Sequence, residues 1–149
     1  MREINQIVIH CSATEQWRNV SVDEIKHWHL NRGFNDIGYH YVIDINGIVH
    51  EGRNVSIAGA HAKGYNDNSI GICYVGGLAR VIMEPMDTRN PKQKDALLNL
   101  VTTLKNIFPI KRIDGHRDLS VDLNGDGVVS PSEWMKSCPC FDVHKEFKL

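Results

Sequence analysis

Strand-type and helix-type segments alternate along this chain, and a single two-residue turn interrupts the alternation. That order limits the fold more than any other feature. Gln6–His10, reading QIVIH, is rich in β-branched residues and predicts a strand. Ser21-Val22-Asp23-Glu24 has the serine and glutamate spacing of a capping box, and Val22, Ile25, Trp28 and His29 then fall on one helical face up to Gly33. Gly38–Asp44 predicts a second strand, Asn46-Gly47 a tight turn, and Ile48–Glu51 the returning partner. Ser69–Val75 reads as a buried strand closed by Gly76-Gly77. Asn90-Pro91 opens a long helix whose Leu97, Leu100, Val101, Leu104 and Phe108 follow the helical period until Pro109. Lys111–Asp114 is a short strand, and residues 142–148 predict a last helical turn or two. The hairpin excludes a purely parallel sheet. The expectation is an α/β fold, a single domain with a central mixed β-sheet flanked by helices.

The chain of 149 residues, 42% hydrophobic and 23% charged, can bury a core of that kind without disulfides and is not a disordered polymer. Its four cysteines, Cys11, Cys73, Cys138 and Cys140, do not form a disulfide framework, and Cys11 and Cys73 read as small core residues. Seventeen Lys and Arg against 18 Asp and Glu give a net charge of -1, which argues against nucleic-acid binding by bulk charge. No apolar run approaches the roughly 20 residues of a membrane span. The opening MREINQIVIHCSAT is polar and then strand-like, and is not read as a signal peptide.

Three residues stand out as candidate ligands of a metal ion. His10 ends the first strand, His116 follows a later one in Asp114-Gly115-His116-Arg117-Asp118, and Cys138 lies in Lys136-Ser137-Cys138-Pro139. Two imidazoles and a thiolate would leave a fourth zinc position for water, as in catalytic sites. They are far apart in sequence, so no ligand spacing singles them out, and each alone would more often be a hydrogen-bonded loop residue.

A set of motifs in fixed order adds to this reading: His10-Cys11-Ser12-Ala13-Thr14, Gly38-Tyr39-His40-Tyr41, the stretch His61–Ile72 (HAKGYNDNSIGI), Gly76-Gly77, Gly115-His116-Arg117-Asp118 and Lys136-Ser137-Cys138-Pro139. Together they resemble the type 2 N-acetylmuramoyl-L-alanine amidases, the family of podophage zinc lysozymes and peptidoglycan recognition proteins, over nearly the whole chain. The resemblance implies an amidase domain spanning residues 1–149, with zinc held by His10, His116 and Cys138 and with Tyr39 and Lys136 as catalytic residues. It also implies substrate contacts for His61 and Asn68, and Trp17 is a candidate for stacking on the substrate. The implied reaction is hydrolysis of the amide between N-acetylmuramic acid and L-alanine in peptidoglycan. The implied enzyme is a monomer with no nucleic-acid or membrane partner, made in the bacterial cytoplasm and acting on the wall after release. Binding-only relatives typically lose the thiolate ligand, so Cys138 favours catalysis over the alternative, a non-catalytic peptidoglycan-binding or phage regulatory protein. Tyr39 and Tyr41 are expected on one strand face and His40 on the other, packed or hydrogen-bonded.

One segment departs from that pattern. Residues 122–133, DLNGDGVVSPSE, match an EF-hand loop, with Asp122, Asn124 and Asp126 at positions 1, 3 and 5, the Val128 carbonyl at 7 and Glu133 at 12. The expectation is a calcium ion that shortens this insertion and helps place Lys136 and Cys138. The plain alternative is a solvated acidic turn, since no periodic helix precedes the loop and no second loop is present.

Overall fold

All six residues of Gln6–Cys11 (β1) are buried, because this strand lies inside the sheet with neighbours on both edges. The computed structural model describes residues 1–149. Along the chain follow β2 (Thr14–Glu15), α1 (Val22–Asn31), β3 (Tyr41–Ile43), β4 (Val49–Glu51), β5 (Ser69–Tyr74), β6 (Gly77–Leu78), α2 (Pro91–Ile107), β7 (Arg112–Gly115) and α3 (Val143–Glu146). The main sheet has the order β4-β3-β5-β1-β7. β3, β5, β1 and β7 are parallel, and β4 alone is antiparallel, paired with β3. The mixed sheet expected from the hairpin is therefore present. A minor parallel pair, β2 with β6, was too short to be read from the sequence.

The period of two sends one face of β1 into the larger of two cores, on either side of the sheet. Ile7, Ile9 and Cys11 join Ile70, Ile72 and Tyr74 of β5 under Leu97, Val101 and Leu104 of α2. Ile25 of α1 packs on the other side with Val20, Ile37, Val42 and Cys73. Each fully buried aliphatic side chain contributes roughly 1.5–3 kcal/mol relative to exposure. His10, one residue before the end of β1, falls on the opposite face from Ile7, Ile9 and Cys11, and is buried.

The helix starts agree with their sequence signals. Ser21 and Glu24 cap α1 reciprocally, and Asn90 and Gln93 do the same for α2. In the hairpin, Asp44 Oδ1 accepts the Asn46 and Ile48 N–H groups, and Gly47 takes φ +76°.

The second strand is shorter than expected. Residues 38–40 lie outside the ladder, so the alternation does not extend back to Tyr39. Tyr41 packs against the α2 core and Tyr39 against the α1 core, which corrects the expectation that they share a face. His40 is buried as expected: Nδ1 accepts the Gly71 N–H at 3.0 Å and Nε2 lies 2.8 Å from the Ile57 carbonyl. No helix is long and apolar enough to cross a membrane.

Candidate metal centre and cleft

The parallel strands β1 and β7 end side by side, Ile9 opposite Gly115, so the residues that follow, His10 and His116, are delivered to one place. Ligand sites of open α/β sheets lie beyond the carboxyl ends of their strands for this reason. The turn carrying His116 is held by Asp118 Oδ2, which accepts the Gly115 N–H at 2.7 Å. Upstream, Asp114 is fixed by Gln6 Nε2 and by His144 Nε2, each at 2.8 Å.

Cys138 arrives on a loop that is tied down from both sides. The Arg117 N–H donates to the Cys138 carbonyl at 2.8 Å, and the Tyr74 hydroxyl donates to the Pro139 carbonyl at 2.6 Å. The Cys11 N–H points at Cys138 Sγ from 3.2 Å, a donor suited to a thiolate. Cys140, two residues on, is turned away: its Sγ lies 3.9 Å from Cys11 Sγ and 3.4 Å from the Gly77 carbonyl.

His10, His116 and Cys138 bring one donor atom each to within 4.8 Å of one another. Zinc–ligand bonds of about 2.0–2.3 Å set tetrahedral donor atoms about 3.3–3.8 Å apart, so a small closure fits this set to an ion. The chemistry of the donors also fits, since borderline-soft zinc takes both imidazole and thiolate. Burial holds the His10 imidazole far below its ordinary range, with the neighbouring His61 and His116 adding to the effect. Burial also lowers His116 to about 4, Lys136 contributing. Both rings are neutral at pH 7 and offer a lone pair.

A cleft of about 570 Å³ opens over this group. Tyr39 stands in its wall, its ring 5.1 Å from that of His10 and 5.2 Å from that of His29. Burial raises the Tyr39 phenol well above 10, so it remains an O–H at neutral pH. Lys136 lines the same cleft as Cys138, as their spacing of two predicts. Arg32 and Lys63 also line it, and no carboxylate does.

The expected substrate contacts are placed unequally. His61 reaches the wall, yet it is buried and its ring nitrogens face His10 and Ser69. Asn68 lies outside the cleft, with its side chain donating to Asn5 Oδ1 at 3.0 Å. Trp17 is 63% exposed and also lies outside it. His29, which the sequence places on one helical face with Val22, Ile25 and Trp28 but gives no role at the site, is buried in the wall, where its Nδ1 accepts the Gly38 N–H at 2.8 Å and fixes the backbone beside Tyr39. Its signal was there: His29 is four residues from Ile25, on the apolar face of α1.

Residues 1–140 match the family described as N-acetylmuramoyl-L-alanine amidase. The chain is 36% identical over 147 residues to an endolysin of Enterobacteria phage K11, covering 99% of this chain and 87% of that one. Among solved structures, it is similar to the endolysin N-acetylmuramoyl-L-alanine amidase LysCS from Clostridium intestinale, with 26% identity, a TM-score of 0.72 and coverage of 95% and 78% of the two chains. It is also similar to the Drosophila peptidoglycan recognition protein PGRP-LB, with 26% identity, a TM-score of 0.71 and coverage of 98% and 80%.

Proposed function

This chain belongs to the N-acetylmuramoyl-L-alanine amidase family, and from that premise we propose that it is zinc-dependent, with His10, His116 and Cys138 as ligands and Tyr39 and Lys136 as catalytic residues. The reaction is hydrolysis of the amide bond between N-acetylmuramic acid and L-alanine in bacterial peptidoglycan. The observation that carries the metal reading is the meeting of two neutral imidazoles and one thiol within 4.8 Å at the floor of a cleft. Three protein donors are one fewer than a closed structural site uses.

A zinc ion held there supplies Lewis acidity toward water and the scissile carbonyl. The chain's own residues do the rest. Lys136 sets a positive charge beside the carbonyl oxygen, where negative charge grows as the carbon becomes tetrahedral. Tyr39 keeps its proton at Oη and so acts as a donor, orienting the attacking water or passing a proton on toward the leaving nitrogen. Arg32, Lys63 and Lys136 give the cleft a positive field, which suits stem peptides carrying free carboxylates. We take the enzyme to be a monomer. On this reading it is made in the bacterial cytoplasm and meets the wall on release. Digestion of purified sacculi followed by mass spectrometry tests the activity: free stem peptides are expected, and cut glycan strands would point to a different bond.

We infer further that residues 122–133, an insertion within the single domain 1–149, take up calcium through Asp122, Asn124, Asp126, the Val128 carbonyl and Glu133. Gly127 N–H already donates to Asp122 at 2.8 Å, and the positive φ of Gly125 and Gly127 wraps the loop around its carboxylates. Glu133 accepts N–H groups of Ser130, Asn124 and Leu123, which hold its carboxyl below the ordinary range. Its neighbour Trp134 lies 3.9 Å from the Arg117 guanidinium, so the loop end abuts the His116 turn. The carboxylate oxygens now face the loop's own N–H groups, and an ion would draw them together. Calcium at 100 times its Kd adds about 2.7 kcal/mol, which at roughly 2–4 °C per kcal/mol raises Tm by about 5–10 °C. A calcium-selective chelator that changes neither Tm nor activity of the zinc-loaded enzyme would remove this site.

A further inference from the structure

The stretch His61–Ile72 is long and specific, yet the reaction as described uses only the charge of Lys63 from it. Its residues surround one buried ring. The Asn66 side chain accepts the N–H groups of both His61 and Ala62, at 2.9 and 3.0 Å, and so fixes the backbone at His61. The imidazole then lies flat over Gly71 of β5, where an added Cβ would meet its Cγ and Cδ2 at 2.6 Å. At Gly59 too, an added Cβ would meet Cδ2 at 2.6 Å. Two glycines without side chains thus make room for the His61 ring.

The hydrogen bonds of this ring can be followed proton by proton. Ser69 Oγ lies 2.6 Å from the Tyr65 carbonyl oxygen, which can only accept. The single hydroxyl proton of Ser69 therefore goes to Tyr65. Ser69 Oγ must then accept from His61 Nε2, 3.1 Å away, so His61 carries its proton on Nε2. A neutral imidazole has only one N–H, which leaves His61 Nδ1 as an acceptor. That atom is 2.9 Å from His10 Nε2. His10 must donate there, and its Nδ1 is left without a proton.

We propose that His61 is a positioning residue: through the chain Tyr65 carbonyl, Ser69 hydroxyl and His61 imidazole, the fold fixes His10 as its Nε2–H tautomer and presents a bare Nδ1 to the metal. Metal-ligating histidines commonly donate their second N–H to an oxygen acceptor that fixes ring and tautomer. Here a second imidazole takes that part, and its own tautomer is fixed in turn by a serine whose proton is spoken for. Only the last link, from His10 Nδ1 to the ion, rests on the zinc reading. The order of protons up to His10 belongs to the metal-free protein as well.

The test is long-range 1H–15N correlation NMR of the full chain labelled with 15N-histidine, without metal and with one equivalent of zinc. In both states His10 and His61 are expected as Nε2–H tautomers, and zinc should shift His10 Nδ1. His61→Phe keeps a flat ring but removes the acceptor. It should weaken zinc binding, measured by chelator competition, by about 10–100-fold. His61→Asn, whose amide oxygen can take the place of Nδ1, should restore most of it. Should His61→Phe not fold, Ser69→Ala replaces it and should give a mixture of His61 tautomers. A His10 protonated on Nδ1 in the metal-free protein overturns the proposal, as does a folded His61→Phe variant that binds zinc as tightly as the parent. The assigned tautomers with a zinc-silent His10 would instead leave the relay standing and overturn the zinc reading.

Discussion

Cys138→Ala is expected to lose tight zinc binding and hydrolysis together while keeping its fold. The side chain is half-buried on a loop held by the Arg117 N–H and the Tyr74 hydroxyl, and neither contact involves the thiol. Its removal should cost about 1 kcal/mol of stability, the centre of the range for single substitutions. The chemical loss is larger. Without Sγ, only His10 and His116 remain of the converging group. Loss of a mere outer partner of a ligand costs about 10–100-fold in metal affinity, and loss of the ligand itself should exceed that. Equilibrium competition against a chelator measures the affinity, stem-peptide release measures turnover, and circular dichroism checks the fold. Cys140→Ala is the matched control and should stay near the parent in both, because that thiol faces Cys11 and Gly77. A Cys138→Ala variant that keeps stoichiometric zinc and parental turnover would refute the assignment.

Lys136→Ala and Tyr39→Phe should separate chemistry from metal binding. Lys136 is exposed at the cleft edge, so its truncation leaves the core intact. Loss of one donor to a developing oxyanion typically lowers kcat by about 10²–10³-fold, and the same loss is expected here. Tyr39→Phe keeps the ring between His10 and His29 and removes only the hydroxyl. General acid–base groups contribute about 10²–10⁴-fold, and kcat should fall within that range. In both variants zinc affinity and Tm should stay at parental values, and KM should move much less than kcat. A fall in zinc content parallel to kcat would make these residues supports of the metal instead. An unchanged kcat would take them out of the reaction.

The layered α/β fold was legible because its signals are local. The β-branched run of β1, the reciprocal caps at Ser21 and Asn90 and the turn at Asn46-Gly47 each act within a few residues. The pair β2–β6 was not legible, since two residues carry no period. The extent of the second strand was misread because β-type residues at Tyr39 and His40 precede the ladder without joining it. The ligand trio could not be found by spacing, because sheet topology and not sequence proximity brings His10 to His116. It was reached through the order of motifs along the chain. His61 was harder still: its ring is placed by two glycines and by His10 and Ser69, and of these only Gly71 and Ser69 lie in its own motif, which does not show which way their protons run. His29 could have been suspected from its place on the apolar face of α1.

X-ray absorption at the zinc edge of the metal-loaded chain examines the central claim without recourse to activity. The account predicts one ion per chain, surrounded by one sulfur, two imidazole nitrogens and a fourth, light donor that exchanges with solvent. A second sulfur in the shell, from Cys11 or Cys140, or a shell with no sulfur at all, would contradict it.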